Sequence, residues 1–256
     1  MISKLKAAGA HEVIQHGPTW QDADAYLRKE VMKEAGSSAI YAPPFDHPDI
    51  WTGNSTVMHE IAAQLPTTQD PSVVICSVGG GGLFNGVCQA LDDLGNTSTT
   101  LLALETEGAD SLHQSISAGK LVTLPGITSQ ATSLGAVRVT QQTLDYSLRQ
   151  GGRVKSVVLP DAEAAMGCWR LADDEKVMVE LACGINASVC YDGKLEKIMG
   201  RKLGKEEIVV IVLCGGSNVT VEMLAKWREE FGWVEEGLRK GKGEVPSEIT
   251  ASNGRH

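Results

Sequence analysis

Residues 73–83 read Val73-Val74-Ile75-Cys76-Ser77-Val78-Gly79-Gly80-Gly81-Gly82-Leu83. The first six form a nearly continuous apolar run, which is typical of a strand buried on both faces of a parallel sheet. Four consecutive glycines follow, and Leu83, Val87 and Leu91 then recur at helical spacing. This order predicts a buried strand, a glycine loop and an amphipathic helix.

The rest of the chain alternates between short apolar runs and longer amphipathic segments. Such alternation favours an α/β fold, a doubly wound and mostly parallel sheet with helices on both faces. Further strands are predicted at 12–15, 100–105, 157–159 and 208–214, and further helices at 2–8, 21–35, 141–149, from 161 and at 217–231. Another helix passes through 60–65, and Asn54 or Ser55 is its candidate N-cap.

Composition excludes several classes of function. The net charge of −9 argues against binding to nucleic acid or to an anionic membrane surface, since both require basic patches. The longest apolar run, 208–214, is too short to span a bilayer. Six cysteines without Cys-x-x-Cys spacing predict free thiols in a reducing, cytoplasmic compartment, and the scattered histidines show no metal-binding pattern.

The glycine loop predicts a bound phosphate. Without side chains, several main-chain N–H groups can converge on one anion at a helix N-terminus, where the helix dipole also favours negative charge. A merely tight turn is the alternative, although one glycine would serve it. Leu83-Phe84 excludes the Walker pattern, and Asn85 occupies the place of the last glycine in a dinucleotide fingerprint. Glu105 resembles the ribose-binding acid of that fingerprint, so a nucleotide stays a weaker alternative.

Several segments together resemble the L-serine/L-threonine dehydratases of the fold-type II pyridoxal-phosphate enzymes. The segments that carry the resemblance are Ser77 to Leu83, Glu105-Thr106-Glu107-Gly108-Ala109, Cys214-Gly215-Gly216-Ser217-Asn218, Gly119 to Val122, Ile127 to Gly135, Pro43-Pro44-Phe45-Asp46 and Val179 to Gly184. The resemblance covers nearly all of the chain up to about residue 225. It implies a homodimeric lyase that eliminates the β-hydroxyl of an amino acid substrate and releases ammonia.

The resemblance also assigns a cofactor site. It implies that Gly79, Gly80, Gly81, Gly82 and Leu83 hold the phosphate of pyridoxal phosphate, and that Cys214, followed by Gly215, faces the ring nitrogen. A thiol is a weak donor, so the ring would stay closer to neutral than beside an aspartate, which suits elimination. The alternative for Cys214 is a small buried apolar residue.

A monovalent cation site is the next implication of the resemblance. The carboxylate of Glu105, the carbonyls of Ala109, Leu134 and Ala136, and Ser111 would surround the ion. Oxygen ligands suit a hard cation such as K⁺. A strand-end carboxylate that points into solvent is the alternative for Glu105.

One expected residue is missing. The resemblance implies an early Ser-x-Lys motif, whose lysine binds the cofactor as a Schiff base, and neither this motif nor the Ser-x-Gly-Asn loop after it occurs here. No catalytic lysine is therefore identified. The interpretation is a fragment of a working enzyme, with residues 1–34 as a remnant of the small domain, 35–231 as the large domain and 232–256 as a charged tail. A non-catalytic module that binds the cofactor or another phosphate ligand is the alternative.

Overall fold

The computed structural model describes residues 1–17, 19–66, 69–149 and 152–235. The chain divides into two compact units, Met1–Pro44 and Phe45–His256. The predicted division at residues 34 and 231 stays a prediction, and most of the proposed tail lies outside the described residues. No helix in the described ranges is long and apolar enough to cross a membrane.

The first unit is built from short helices. Its elements are α1 (Ile2–Ala7), α2 (Trp20–Tyr26), a π-helical turn (Leu27–Val31), α3 (Met32–Ala35) and a 3₁₀ turn (Gly36–Ser38). Thr19 and Asp22 form a capping box at the start of α2, which fixes where that helix begins. The strand predicted at 12–15 is wrong, because those residues pair with no strand in the described part of the chain.

The second unit contains a four-stranded sheet with helices on both faces. Its elements are α4 (Pro48–Gln64), β1 (Val73–Ser77), α5 (Gly82–Asp93), β2 (Thr100–Thr106), α6 (Ser111–Ala118), a 3₁₀ turn (Thr132–Leu134), α7 (Gln141–Leu148), β3 (Val154–Leu159), α8 (Asp161–Glu175), α9 (Leu181–Ser188), α10 (Lys194–Met199), β4 (Val209–Ile211) and α11 (Val221–Phe231). The strand order is β3-β2-β1-β4, and every pairing is parallel.

Alternate residues of β1 belong to two separate hydrophobic clusters. Val73 and Ile75 pack with residues of α8, α9 and α11, whereas Val74 and Cys76 pack with residues of α4 and α5. Successive side chains of a strand point to opposite faces, so both faces of the sheet are covered by helices. The predicted doubly wound parallel sheet is confirmed.

Several predicted boundaries are wrong, since β3 begins at Val154 rather than at 157 and α11 begins at Val221 rather than at 217. The helix through residue 60 begins at Pro48, and His47 caps it by accepting the Asp49 N–H at 3.1 Å, so Asn54 and Ser55 lie inside the helix. A proline at the first helical position explains this earlier start. The last strand covers 209–211 rather than 208–214 and is only half-buried, because β4 lies at the edge of the sheet.

Candidate active site

The glycine loop joins the carboxyl end of β1 to the start of α5. Gly81 is the N-cap of α5, and its φ of +99° lies in the left-handed region that favours glycine. Within the described residues, none of the main-chain N–H groups of residues 79–83 donates to a protein acceptor. The loop therefore presents a series of unpaired donors at the N-terminus of a twelve-residue helix.

Neighbouring residues leave no room for side chains on this loop. A Cβ atom at Gly80 would lie 2.2 Å from the ring of Phe45, and one at Gly81 would lie 1.9 Å from Thr143 Oγ1. At Gly79 it would lie 3.2 Å from Leu134 Cα. Close packing therefore excludes a Cβ at Gly80 and at Gly81 and leaves little space for one at Gly79.

A buried polar cluster supports the loop. Asn85 Nδ2 donates to Thr140 Oγ1 at 3.0 Å, Thr143 Oγ1 donates to Asn85 Oδ1 at 2.9 Å, and the two threonine hydroxyls are 2.9 Å apart. The Thr140 N–H also donates to the Gly80 carbonyl at 3.1 Å. These bonds fix the loop to the start of α7. Sequence reasoning used Asn85 only to exclude a dinucleotide. An amide side chain among apolar helical residues also indicates a buried polar cluster, and this inference was missed.

Cys214 lies in the loop after β4, beyond the edge of the regular strand. Its side chain is exposed. Cys214 is therefore neither at the end of a buried strand nor a small buried apolar residue. The chain leaves β4 at Ile211 and turns at Gly215, where φ is +82°, and this early end exposes the thiol. The thiol of Cys183 hydrogen-bonds the Cys214 sulfur and lowers the pKa of Cys214 to about 7.

Asn186 links the two strand ends from which these loops leave. It lies on α9 and is buried, and its Nδ2 donates to the Val212 carbonyl at 2.9 Å and to Ser77 Oγ at 3.4 Å. Parallel strands carry their loops at the same edge of a sheet. The glycine loop and the Cys214 loop thus follow neighbouring strands at the carboxyl edge, and sequence reasoning missed the residue that joins them.

Glu105 is fully buried and binds the start of α6. Its two carboxylate oxygens accept the N–H groups of Leu112 and His113, each at 2.8 Å. Burial raises the pKa of Glu105 to about 8, against the lowering effect of these two hydrogen bonds. The solvent-facing alternative is therefore wrong. Because both oxygens already bind amides of α6, the ribose-binding role of the nucleotide alternative also loses support.

The other predicted cation ligands are buried as well. Ser111 begins α6 close to Glu105, and its buried hydroxyl has no hydrogen-bond partner among the described residues. Leu134 ends the 3₁₀ turn beside Gly79 and Ala136 follows that turn, and the Ala136 N–H donates to the Leu134 carbonyl at 2.7 Å. Ala109 is buried between β2 and α6. In the described ranges, no cluster of three or more His, Cys, Asp or Glu residues could hold a metal ion.

Comparison with known proteins identifies the family. The family of the pyridoxal-phosphate dependent enzymes matches residues 1–215. The chain belongs to this family. An L-serine dehydratase of Saccharomyces cerevisiae is 41% identical over 235 residues, which cover 88% of this chain and 69% of that protein. An L-serine dehydratase/L-threonine deaminase of Bos taurus is 36% identical, covering 90% of this chain and 69% of that protein.

A solved structure shares the fold. The crystal structure of a fungal L-serine ammonia-lyase from Rhizomucor miehei matches with a TM-score of 0.80 and 33% identity, covering 90% of this chain and 70% of that one. The predicted resemblance to serine/threonine dehydratases and the fold-type II architecture are both confirmed. The roles of individual residues are not tested by these similarities.

Proposed function

We propose that the carboxyl edge of the sheet is the pyridoxal phosphate site of a lyase for the β-elimination of L-serine and L-threonine to an oxo acid and ammonia, a reaction that also requires a lysine not assigned in this chain. The unpaired N–H groups of residues 79–83 carry this proposal, because they fit a doubly charged phosphate. The names of the relatives, L-serine dehydratase and L-serine ammonia-lyase, support the reaction and the substrate class.

The residues of the chain fit the cofactor at two places. The glycine loop, including Leu83 at the start of α5, would bind the phosphate through main-chain N–H groups that have no protein acceptor within the described residues. The Cys214 thiol would donate its S–H to the ring nitrogen, beside Gly215. Bound pyridoxal phosphate supplies an electron sink for the carbanion that forms when the α-proton of the substrate leaves.

A weak donor at the ring nitrogen favours elimination over transamination. A thiol donates a weaker hydrogen bond than a carboxylic acid, and it leaves the nitrogen close to neutral. Because a neutral ring nitrogen accepts a proton in its hydrogen bond, cofactor binding would select the protonated form of Cys214. The pKa of about 7 in the free protein makes this form available at neutral pH.

A non-catalytic binding module is the second candidate, and one observation favours it. The sequence contains no Ser-x-Lys motif, so no lysine of this chain is assigned as the Schiff-base residue and proton carrier. Both candidates require the same cofactor site. They differ in covalent attachment of the cofactor and in turnover.

The proposed cation site completes the function. Glu105, Ser111 and the carbonyls of Ala109, Leu134 and Ala136 would bind K⁺ or another monovalent cation. The unpartnered hydroxyl of Ser111 and the raised pKa of the buried Glu105 support this proposal, because a bound cation would offset both costs. We also propose a small-molecule amino acid substrate and a homodimeric assembly. The six free cysteines support a reducing, cytoplasmic location.

Binding of two related ligands tests the function. Equilibrium dialysis would compare pyridoxal phosphate with pyridoxal, which lacks the phosphate. We expect pyridoxal to bind at least about tenfold more weakly, because charge-assisted hydrogen bonds contribute roughly 1.5–3 kcal/mol each. Equal binding of the two ligands would contradict the phosphate site.

A pair of glycine variants locates the site. We expect Gly80→Ala to lose pyridoxal phosphate binding, since its Cβ would lie 2.2 Å from the Phe45 ring and displace the loop. Gly126→Ala is the matched control, because nothing lies within 4 Å of a Cβ there. Thermal unfolding of both variants separates loss of the site from loss of the fold. Unchanged binding by Gly80→Ala would place the phosphate elsewhere.

A further inference from the structure

The six free cysteines differ sharply in their surroundings. Burial raises the pKa of Cys76 and Cys168 to about 12, and that of Cys88 also lies well above its usual value. Cys190 has a pKa raised to about 11. Cys214 alone among the six has a lowered pKa, and its side chain is exposed. A reactive cysteine requires both properties.

Cys183 lies against Cys214 in a way that the main chain fixes. It is only 4% exposed in the first turn of α9, where its thiol interacts with the Cys214 thiol and with the main-chain N–H groups of Cys214 and Gly215. The Glu180 N–H, at the N-cap of α9, donates to the Gly215 carbonyl at 2.9 Å. This main-chain bond holds the start of α9 and the Cys214 loop together.

We propose that Cys214 and Cys183 form a modification site, at which a peroxide oxidises the two thiols to an intramolecular disulfide. In the first step the Cys214 sulfur attacks an oxygen of hydrogen peroxide, the O–O bond breaks, and the products are a sulfenic acid and one water. In the second step the Cys183 sulfur attacks the Cys214 sulfur. The hydroxyl leaves with the proton of Cys183 as a second water. The two cysteines lose two electrons, and the peroxide gains them.

The electrostatics of the pair suit both steps. Cys183 donates its hydrogen bond to the Cys214 sulfur, which stabilises the thiolate that attacks the peroxide. The carboxylate of Glu180 opposes this ionisation, and buried Cys76 is the other titratable group that senses Cys214. The charge of Cys214 contributes to the raised pKa of Cys183. Formation of the sulfenic acid removes that charge, so Cys183 loses its proton more readily in the second step.

The modification would compete with the cofactor. This consequence rests on the proposed function, in which the Cys214 thiol donates to the ring nitrogen. A disulfide has no S–H to donate, and the bound cofactor in turn would shield the sulfur from peroxide. Oxidation and cofactor binding would therefore exclude each other at one sulfur atom.

Peptide mapping of the oxidised chain tests the pair directly. The full chain is treated with hydrogen peroxide at pH 7, digested without reduction and analysed by mass spectrometry. We expect a linked pair of peptides that contain Cys183 and Cys214, lighter by two hydrogen atoms than the separate peptides and separated by dithiothreitol. Cys190→Ser should give the same product. In Cys183→Ser, Cys214 should proceed to the sulfinic acid.

Alkylation rates and the cofactor supply independent measurements. At pH 7 iodoacetamide should modify Cys214 at least about tenfold faster than Cys190, because far more of Cys214 is thiolate. Pyridoxal phosphate should slow alkylation of Cys214 alone. Disulfide formation without this protection would support the pair and contradict the proposed function. Protection without a Cys183–Cys214 disulfide, or peroxide oxidation that leaves Cys183 reduced, would overturn the pair.

Discussion

Asn85 supports the glycine loop indirectly, through its hydrogen bonds to two threonines. It is fully buried, and its amide donates to one threonine hydroxyl and accepts from another. We expect Asn85→Leu to lower the free energy of unfolding by about 1–3 kcal/mol, because two buried hydroxyls lose partners. Urea unfolding measures this change. Gln89→Ala on the same helix is the control, since its bond to Thr52 is exposed and the expected change is below about 0.5 kcal/mol.

Glu105 leads to a prediction about a bound cation. If it binds a monovalent cation with Ser111, K⁺ should raise the unfolding free energy above its value in the same concentration of choline. The gain is about 1.4 kcal/mol at tenfold the dissociation constant. Glu105→Gln should abolish the difference, because the amide brings no charge to the ion. Glu206→Gln, an exposed position, should keep it. A K⁺ response that survives in Glu105→Gln would rule out this carboxylate as a ligand.

Helix packing gives a prediction at the scale of an element. In α9, a Cβ at Gly184 would lie 2.2 Å from the Ala164 carbonyl of α8, so the two helices meet backbone to backbone. We expect Gly184→Ala to cost about 1–3 kcal/mol through overpacking. Gly53→Ala, within the exposed side of α4 and with nothing within 4 Å, should instead stabilise by about 0.5–1 kcal/mol. Equal effects in urea unfolding would mean that α8 and α9 do not approach this closely.

The accuracy of sequence reasoning also differs between elements. The strand at 73–77 and the helix after the glycines were predicted within a residue or two. The local sequence marks these boundaries, because the apolar run ends where the glycines begin. The run at 208–214 has the same composition, yet only 209–211 is strand. Its outer edge has no pairing strand among the described residues. Strand pairing depends on residues that are distant in sequence, so the local sequence does not predict it.

At the scale of the whole molecule, the glycines were selected as site residues from their residue type, and Cys214 from the family resemblance. The contacts that position them could not be predicted in this way. Asn186 bridges the ends of two strands through residues 109 and 26 positions away along the chain. Cys183 acts on Cys214 only after α9 has packed against the sheet. Long-range proximity of this kind follows from the topology, which orders the strands as β3-β2-β1-β4.

The missing lysine motif gives the prediction that concerns the whole chain. With pyridoxal phosphate and L-serine, these 256 residues should bind the cofactor but release no pyruvate, because no lysine is assigned to carry the α-proton. Borohydride reduction followed by peptide mapping should find no single lysine modified in preference to the others. Pyridoxal phosphate binding by dialysis provides the control that the site is intact. Stoichiometric labelling of one lysine together with pyruvate formation would show that this chain contains its own catalytic base, and would reject the binding module in favour of the lyase.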